Sequence, residues 1–183
     1  MWHIIIPAAL WLMSRFNMGG STRLIGLLKH FEGFAPEPYW DCQQYSIGYG
    51  SKYRPGLTPN PISEPQALQL LHQLVQGQYR TSAKNAVESR GISWTSLPSH
   101  QQDAIISFCY NLGPGAIMSA SWPQRLKEGN LEAAKQSWVA HYNADGHINE
   151  GLVRRRFAEW QLFTTGTWSE QPAGWQAYYN AHR

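Results

Sequence analysis

The sequence predicts an α+β fold, in which a small antiparallel β lobe and a larger helical lobe are joined by a bridging helix. Three observations carry this expectation. Apolar residues recur at helical spacing after Ser21. That spacing breaks down over residues 39–58, where YWDCQQYSIGYGSKYRPGLT mixes Tyr, Trp, Ile and Thr with Gly and a Pro-Gly pair. Helical spacing resumes after Ser63 and persists through several further segments. A chain of 183 residues, 43% of them hydrophobic, is long enough to bury one shared core.

The elements follow in order. Residues 1–20 form a separate unit, with an apolar run from Ile4 to Met13 and a hinge at Met18-Gly19-Gly20-Ser21. The run is shorter than the roughly 17–25 residues of a spanning helix and matches the apolar core of an export signal. No positive charge precedes it and no small-x-small cleavage site follows. A helix packed on the body, an export or tethering segment and an unusual start site all stay open. Residues 21–183 form the second unit. Ser21 caps a helix bearing Leu24, Ile25, Leu27, Leu28 and Phe31, which stops near Glu32-Gly33. Ser63 and Gln66 make a capping box, with Pro65 in the first turn of the bridging helix. Ser99 and Gln102 repeat that pattern before Ala104, Ile105, Phe108 and Leu112. A weaker segment from Ile117 to Leu126 is interrupted by Pro123. Asn130 and Asn149 cap two more helices, and the tail from Thr165 is turn-rich, with aromatics able to fold back. Two lobes leave a cleft between them, where sites commonly lie.

Composition excludes several classes. The net charge of +3 is too small to mark a nucleic-acid binder, and it suits a polyanionic surface such as a bacterial cell wall equally well. Cys42 and Cys109 are too few for a disulfide-dense scaffold or a four-cysteine zinc site. His30, His72, His100, His141 and His147 show no metal-ligand spacing, and no dinucleotide, phosphate-loop or GxSxG motif occurs. No metal and no cofactor are expected.

Two acids stand out. Glu32 ends a strongly apolar helix between Phe31 and Phe34, a setting in which a carboxyl group can keep its proton. Asp41 follows nine residues later in the sheet lobe. One carboxylate on each wall of a cleft is the arrangement that glycoside hydrolysis needs. The run 32-EGFAPEPYWDCQQYSIGYG-50 resembles the catalytic signature of the phage-type lysozymes, the muramidase endolysins. Asn111-Leu112-Gly113 resembles their Asn-x-Gly helix end, and 151-GLVRRRFAEWQLF-163 their Gly-Leu-x-x-Arg-Arg segment, with Glu159 in the usual acidic place. With the closing Thr167-Trp168, the matches span residues 22–168.

The resemblance implies a lysozyme-like fold and an inverting hydrolase that cuts the β-1,4 bond between N-acetylmuramic acid and N-acetylglucosamine. It makes Glu32 the general acid and Asp41 the cleft carboxylate. Ser46 stands where the family has Thr beside the attacking water. Arg155 matches the arginine that approaches the catalytic Glu, with Arg154 one register away, and Asn111 is a candidate sugar contact. At least one of Arg154, Arg155 and Arg156 should face solvent, since three consecutive residues cannot all point inward on a helix. Tyr39, Trp40, Tyr45 and Tyr49 are available for sugar stacking or for the lobe's own core. This sequence departs from the family pattern in a loop one residue shorter between Asp41 and Ser46, in Gln43 and Gln44 where Gly is usual, and in Ser51 where many members place His. Following the family arrangement, Cys42 and Cys109 should lie apart, in different lobes.

The partner so implied is bacterial peptidoglycan, attacked by a monomeric catalytic unit. A phage-encoded enzyme would act in the host periplasm or at the wall, with residues 1–18 a route to a membrane or virion partner. A lytic transglycosylase and a non-catalytic wall-binding or virion module are the rivals. Retention of Asp41 and Ser46 weighs against the first, and retention of Glu32 against the second.

Overall fold

The computed structural model describes residues 21–41, 44–144 and 147–183. The expectations for residues 1–20 and for Cys42 lie outside them. Helix α1 (Thr22–Glu32) starts at Ser21, whose hydroxyl accepts the Leu24 N–H at 3.3 Å, and its Leu24, Ile25, Leu27 and Leu28 are buried. Gly33, at φ 67°, ends it and returns its N–H to the Lys29 carbonyl.

Strands β1 (Ala35–Trp40), β2 (Tyr45–Gly48) and β3 (Ser51–Lys52) form an antiparallel sheet in the order β1-β2-β3. The sheet starts earlier than the sequence suggested, because Pro36 and Pro38 are inside β1. They fit there because β1 is an edge strand whose register shifts between Ala35 and Tyr39, so their missing N–H groups cost no regular ladder bond.

Helix α2 (Glu64–Leu74) begins where expected, with Gln66 Oε1 accepting the Ser63 N–H (3.0 Å) and hydroxyl (2.8 Å). It runs through one π-helical turn, Val75–Tyr79, into α3 (Arg80–Ser89). This run packs on β2 at one end and on the helical lobe at the other, so it is the bridge. After a 3₁₀ turn (Trp94–Ser96) comes α4 (Ser99–Leu112), in which every residue from Asp103 to Tyr110 is buried. The capping box expected at Ser99 does not form. Pro98 takes the cap position, and Gln102 Nε2 instead donates to the Trp94 and Leu97 carbonyls at 3.1 and 3.0 Å. Trp94 opens that turn and Leu97 follows it, so the amide ties the turn to the first turn of α4.

Two short helices follow, α5 (Pro114–Ser119) and α6 (Trp122–Lys127). Pro123 therefore opens a helix rather than interrupting one, since a first-turn N–H needs no helical partner. Asn130 caps α7 (Leu131–Val139) and Asn149 caps α8 (Glu150–Thr165), each side chain accepting an N–H at 3.0 Å. Between them lies a hairpin of β4 (Asn143–Ala144) and β5 (His147–Ile148). The tail is more ordered than its turn-rich sequence suggested. Trp168 Nε1 donates to the Arg23 carbonyl at 3.0 Å, and α9 (Trp175–His182) packs Trp175, Tyr178 and Tyr179 on Val153 and Phe157. The i, i+3, i+4 spacing of those aromatics is the signal outweighed by the surrounding Gly and Pro.

Helices α4, α6, α7 and α8 meet in an aromatic core. Trp138 is fully buried, with ring centroids of Phe108, Trp122, Trp160 and Phe163 within 4.7 to 5.8 Å of its own. Trp138→Ala should cost about 3–5 kcal/mol in urea unfolding, through lost burial and the cavity left behind. A cost within the roughly 0.5 kcal/mol of a surface substitution would mean the lobe does not depend on this cluster.

Candidate active site

The first wall of the cleft is built where α1 ends. Its last residue, Glu32, is mostly buried, and Glu32 Oε1 accepts from Arg155 Nη1 at 2.7 Å. The turn after β2 closes over it. Gly50 has φ 75°, and a Cβ there would lie 2.8 Å from Glu32 Oε2. Both the backbone conformation and the close approach thus require glycine. The turn is held in place by Tyr110, whose hydroxyl donates to the Tyr49 carbonyl at 2.5 Å, and by Tyr49, whose hydroxyl donates to Glu64 at 2.7 Å.

The facing wall is the sheet. Asp41 follows β1 directly and makes a tight side-chain turn: Oδ1 accepts the Gln44 N–H at 2.9 Å, and the Asp41 N–H donates to the Gln44 carbonyl at 3.0 Å. Ser46, fully buried in β2, donates its hydroxyl to Asp41 Oδ2. The carboxylate, at the end of β1, is therefore fixed at both oxygens by groups at the start of β2. Glu32 and Asp41 line a single cleft of about 490 Å³, together with Tyr39, Gln78, Tyr79 and Asn111. Burial pushes the Tyr39 phenol up from its ordinary pKa, and the negative charges of Glu32 and Asp41 push it further. Both carboxylates thus bear on one ring. Gln78 and Tyr79 come from the π-helical turn of the bridge, a distortion often found beside functional sites.

Behind Glu32 lies a charge network that the sequence displayed only in outline. Arg155 on α8 donates through Nε to Glu159 Oε1 (3.1 Å) as well as to Glu32. Glu159, completely buried, also accepts from Arg156 Nη2 (3.0 Å) and from the Ser107 hydroxyl (2.7 Å). Arg156 Nη2 in turn donates to Asn111 Oδ1 at 2.9 Å, and its guanidinium lies over the Phe108 ring. Two buried cations thus face two carboxylates. Burial alone would lower the Arg155 pKa, but Glu32 and Glu159 outweigh it and the net shift is upward. Burial pushes Arg156 down to about 10 against the pull of Glu159, so it stays charged at neutral pH.

The register left open between Arg154 and Arg155 resolves to Arg155. Of this triplet, Arg154 is the residue left partly exposed, in line with the geometry of three consecutive helical positions. Arg155 and Arg156 are buried, and Arg154 is half-buried with its guanidinium about 6 Å from the Phe31 and Trp175 rings. Rings from α1 and α9 cover the helix edge that the pattern left bare. Asn111 lines the cleft, its amide oxygen engaged by Arg156. Among the sugar-stacking candidates, Tyr49 belongs to the core, Tyr39 lines the cleft, and Trp40 and Tyr45 form an exposed edge-to-face pair. Ser51, in the position of the family's usual His, is buried. Cys109 is a free, buried thiol, which burial pushes up to about 12. Ser107, Tyr110 and Arg156 were not anticipated. The Arg-Arg-x-x-Glu spacing, which puts Glu159 three and four residues from two arginines, is the signal that could have found the last. Among the described residues, no three His, Cys, Asp or Glu side chains gather as a metal site.

Glu159→Gln should cost about 3–5 kcal/mol in urea unfolding, because it leaves buried guanidinium charge uncompensated. A loss below about 1 kcal/mol, the centre of ordinary point substitutions, would show that the network does not need that charge.

The family model for phage lysozyme matches residues 29–159, which takes in Glu32, Asp41, Ser46, Asn111, Arg155 and Glu159. An endolysin of Bacillus phage B103 is 34% identical over 146 residues, covering 78% of this chain and 52% of that protein. The chain therefore spans about half the length of the curated relatives it matches first. Among solved structures, the muramidase domain of SpmX from Asticaccaulis excentricus superposes with a TM-score of 0.65 at 27% identity, over 79% of this chain and 97% of that one. A mutant of P22 lysozyme gives 0.61 at 26% identity, with the same coverage. The same two-lobed fold, and a family match running from just before Glu32 to Glu159, lead to one conclusion: this chain belongs to the phage lysozyme family.

Proposed function

We propose that the protein is a peptidoglycan muramidase that hydrolyses the β-1,4 bond between N-acetylmuramic acid and N-acetylglucosamine with inversion. The observation that carries this reading is a single cleft lined by Glu32 from the helical wall and Asp41 from the sheet wall. Glu32, steadied by Arg155, is the general acid that protonates the leaving sugar oxygen. Asp41 acts on the opposite side of the sugar, orienting a water and countering the positive charge that develops on the ring. Ser46 is buried outside the cleft lining and supports the attack by donating to Asp41 and fixing its carboxylate. Asn111, with its oxygen engaged by Arg156, is a sugar contact. The endolysins among the relatives and the muramidase domain among the structures support the same substrate.

The residues assigned to chemistry all lie within 21–183, so we assign cleavage to that part, working as a monomer at the wall of a phage-infected host. Residues 1–18 are assigned to delivery, through export or a membrane or virion partner. Deleting them should leave cleavage of isolated walls intact. A folded, soluble deletion protein with no activity would put that segment in the catalytic domain.

Glu32→Gln should lower hydrolysis of purified peptidoglycan by about 10²–10⁴-fold, because an amide cannot deliver the proton. Asp41→Asn should also cost heavily, through lost charge stabilisation. Ser46→Ala should cost least, since it only supports the attack. Mass spectrometry of the released muropeptides should find reducing ends. Near-normal cleavage by folded Glu32→Gln would remove the mechanism, and anhydro-muramyl ends would make the enzyme a transglycosylase.

A further inference from the structure

The two oxygens of Glu32 have different neighbours. Oε1 accepts from Arg155 Nη1 at 2.7 Å. A guanidinium only donates, so a proton on Oε1 would meet another N–H, and the protonated acid carries its proton on Oε2. Oε2 is the oxygen against the Gly50 turn, where a Cβ would approach to 2.8 Å. The turn between β2 and β3 therefore decides where the acidic proton stands.

Two bonds hold this turn, and they act on different parts of it. The Tyr49 hydroxyl reaches Glu64 at the start of α2 and fixes a side chain. The Tyr110 hydroxyl, on α4 of the helical lobe, reaches the Tyr49 carbonyl. That carbonyl belongs to the planar peptide group that leads into Gly50, so this second bond sets the plane that carries Gly50 against Glu32. Tyr110 is itself firmly seated. It is buried, and its ring packs on Tyr79, the last residue of the π-helical turn, at 4.5 Å between centroids. Sheet turn, bridge and helical lobe thus meet at one side chain. Burial pushes the Tyr110 phenol far up from its ordinary pKa, and the negative charge of Glu32 pushes it further, so the hydroxyl keeps its proton and stays a donor.

We propose that Tyr110 is a positioning residue for the general acid: through the Tyr49–Gly50 peptide it holds the turn that fixes Glu32 Oε2, the oxygen from which the proton leaves. The inference rests on the reading of Glu32 as general acid and deepens it, by naming the oxygen that carries the proton and the residue that aims it. In the step so described, the proton passes from Oε2 to the glycosidic oxygen as that oxygen takes the bonding pair from the anomeric carbon. The attacking water gives its hydroxyl to that carbon and its proton to Asp41, and Glu32 is left as a carboxylate facing Arg155. Packing alone does not ask for a hydroxyl at position 110, because a phenylalanine ring would fill the same space against Tyr79. What it would lose is the donor to the Tyr49 carbonyl. The peptide would then be free to turn towards cleft water, and Gly50, with no Cβ to restrain it, would follow.

The test uses two leaving groups. The sugar oxygen released from peptidoglycan needs a proton, whereas a dinitrophenyl β-glycoside of the same muramyl unit releases a phenolate that needs none. Tyr110→Phe should lower the ratio of kcat on wall to kcat on the dinitrophenyl glycoside by about 10- to 100-fold, the scale of a small misplacement of a reacting group, with the apparent KM on wall unchanged. A merely structural role would lower both rates alike and leave the ratio where it was, which would overturn the proposal. Gly50→Ala disturbs the same contact from the turn itself and should lower the ratio too. The double variant Tyr110→Phe/Gly50→Ala should fall no further than the worse single variant, and full multiplication of the two effects would also overturn the proposal. Circular dichroism checks that each variant is folded. Glu32→Gln tests the underlying reading on the same two substrates. A ratio that does not fall for Glu32→Gln would sink the general-acid reading and the positioning role with it. A ratio that falls for Glu32→Gln and holds for Tyr110→Phe would sink the positioning role alone.

Discussion

Arg155 is the side chain on which the site depends most. Its guanidinium holds Glu32 through one nitrogen and Glu159 through another, and so ties the end of α1 to the middle of α8 across the helical lobe. A lone buried arginine would be strongly unfavourable, and a buried pair gives weak net stability even when well made. The chain meets this with shared acceptors. Glu159 Oε1 accepts from Arg155, Arg156 and the Ser107 hydroxyl, and Glu32 accepts from Arg155 at the cleft surface. The arrangement is fitted to positioning more than to stability, since it fixes one carboxylate oxygen of Glu32 and leaves the other against the Gly50 turn.

The sheet lobe meets the opposite demand with much less buried mass. Its core amounts to Ile47, Tyr49 and Ile62, packed on the bridging helix through Ala67 and Leu71. Such a lobe needs specific bonds to hold a reactive group in place. Asp41 has them from Gln44 and Ser46, and the turn next to Glu32 has them from Tyr110 and Glu64. The bridge joins the two designs, and its π-helical turn brings Gln78 and Tyr79 to the cleft.

Much of this was legible in the sequence, for local reasons. Ser21, Ser63, Asn130 and Asn149 cap helices because a short polar side chain can reach an unpaired N–H a turn ahead, whatever the rest of the chain does. Period-3.6 apolar spacing marked α1, the bridge, α4 and α8 for the same reason. Glu32, Asp41 and Ser46 were named through the resemblance of their run to the phage-lysozyme signature, and Glu32 and Asp41 line one cleft.

The misreadings share one cause. Pro36 and Pro38 argue against a strand until it is known that β1 lies at an edge. Pro123 looks like an interruption until the helix is seen to start beside it. Gln102 was assigned to its own helix end, and the 3₁₀ turn before it claimed the amide. The choice among Arg154, Arg155 and Arg156 depends on which helices cover α8. The sequence by itself determined caps, periodicity and the order of the chemical groups, because these depend on neighbours a turn away. Which side chains end up buried, paired or facing the cleft was decided by tertiary structure alone, because a charge or an edge takes its energy from whatever distant segment packs against it.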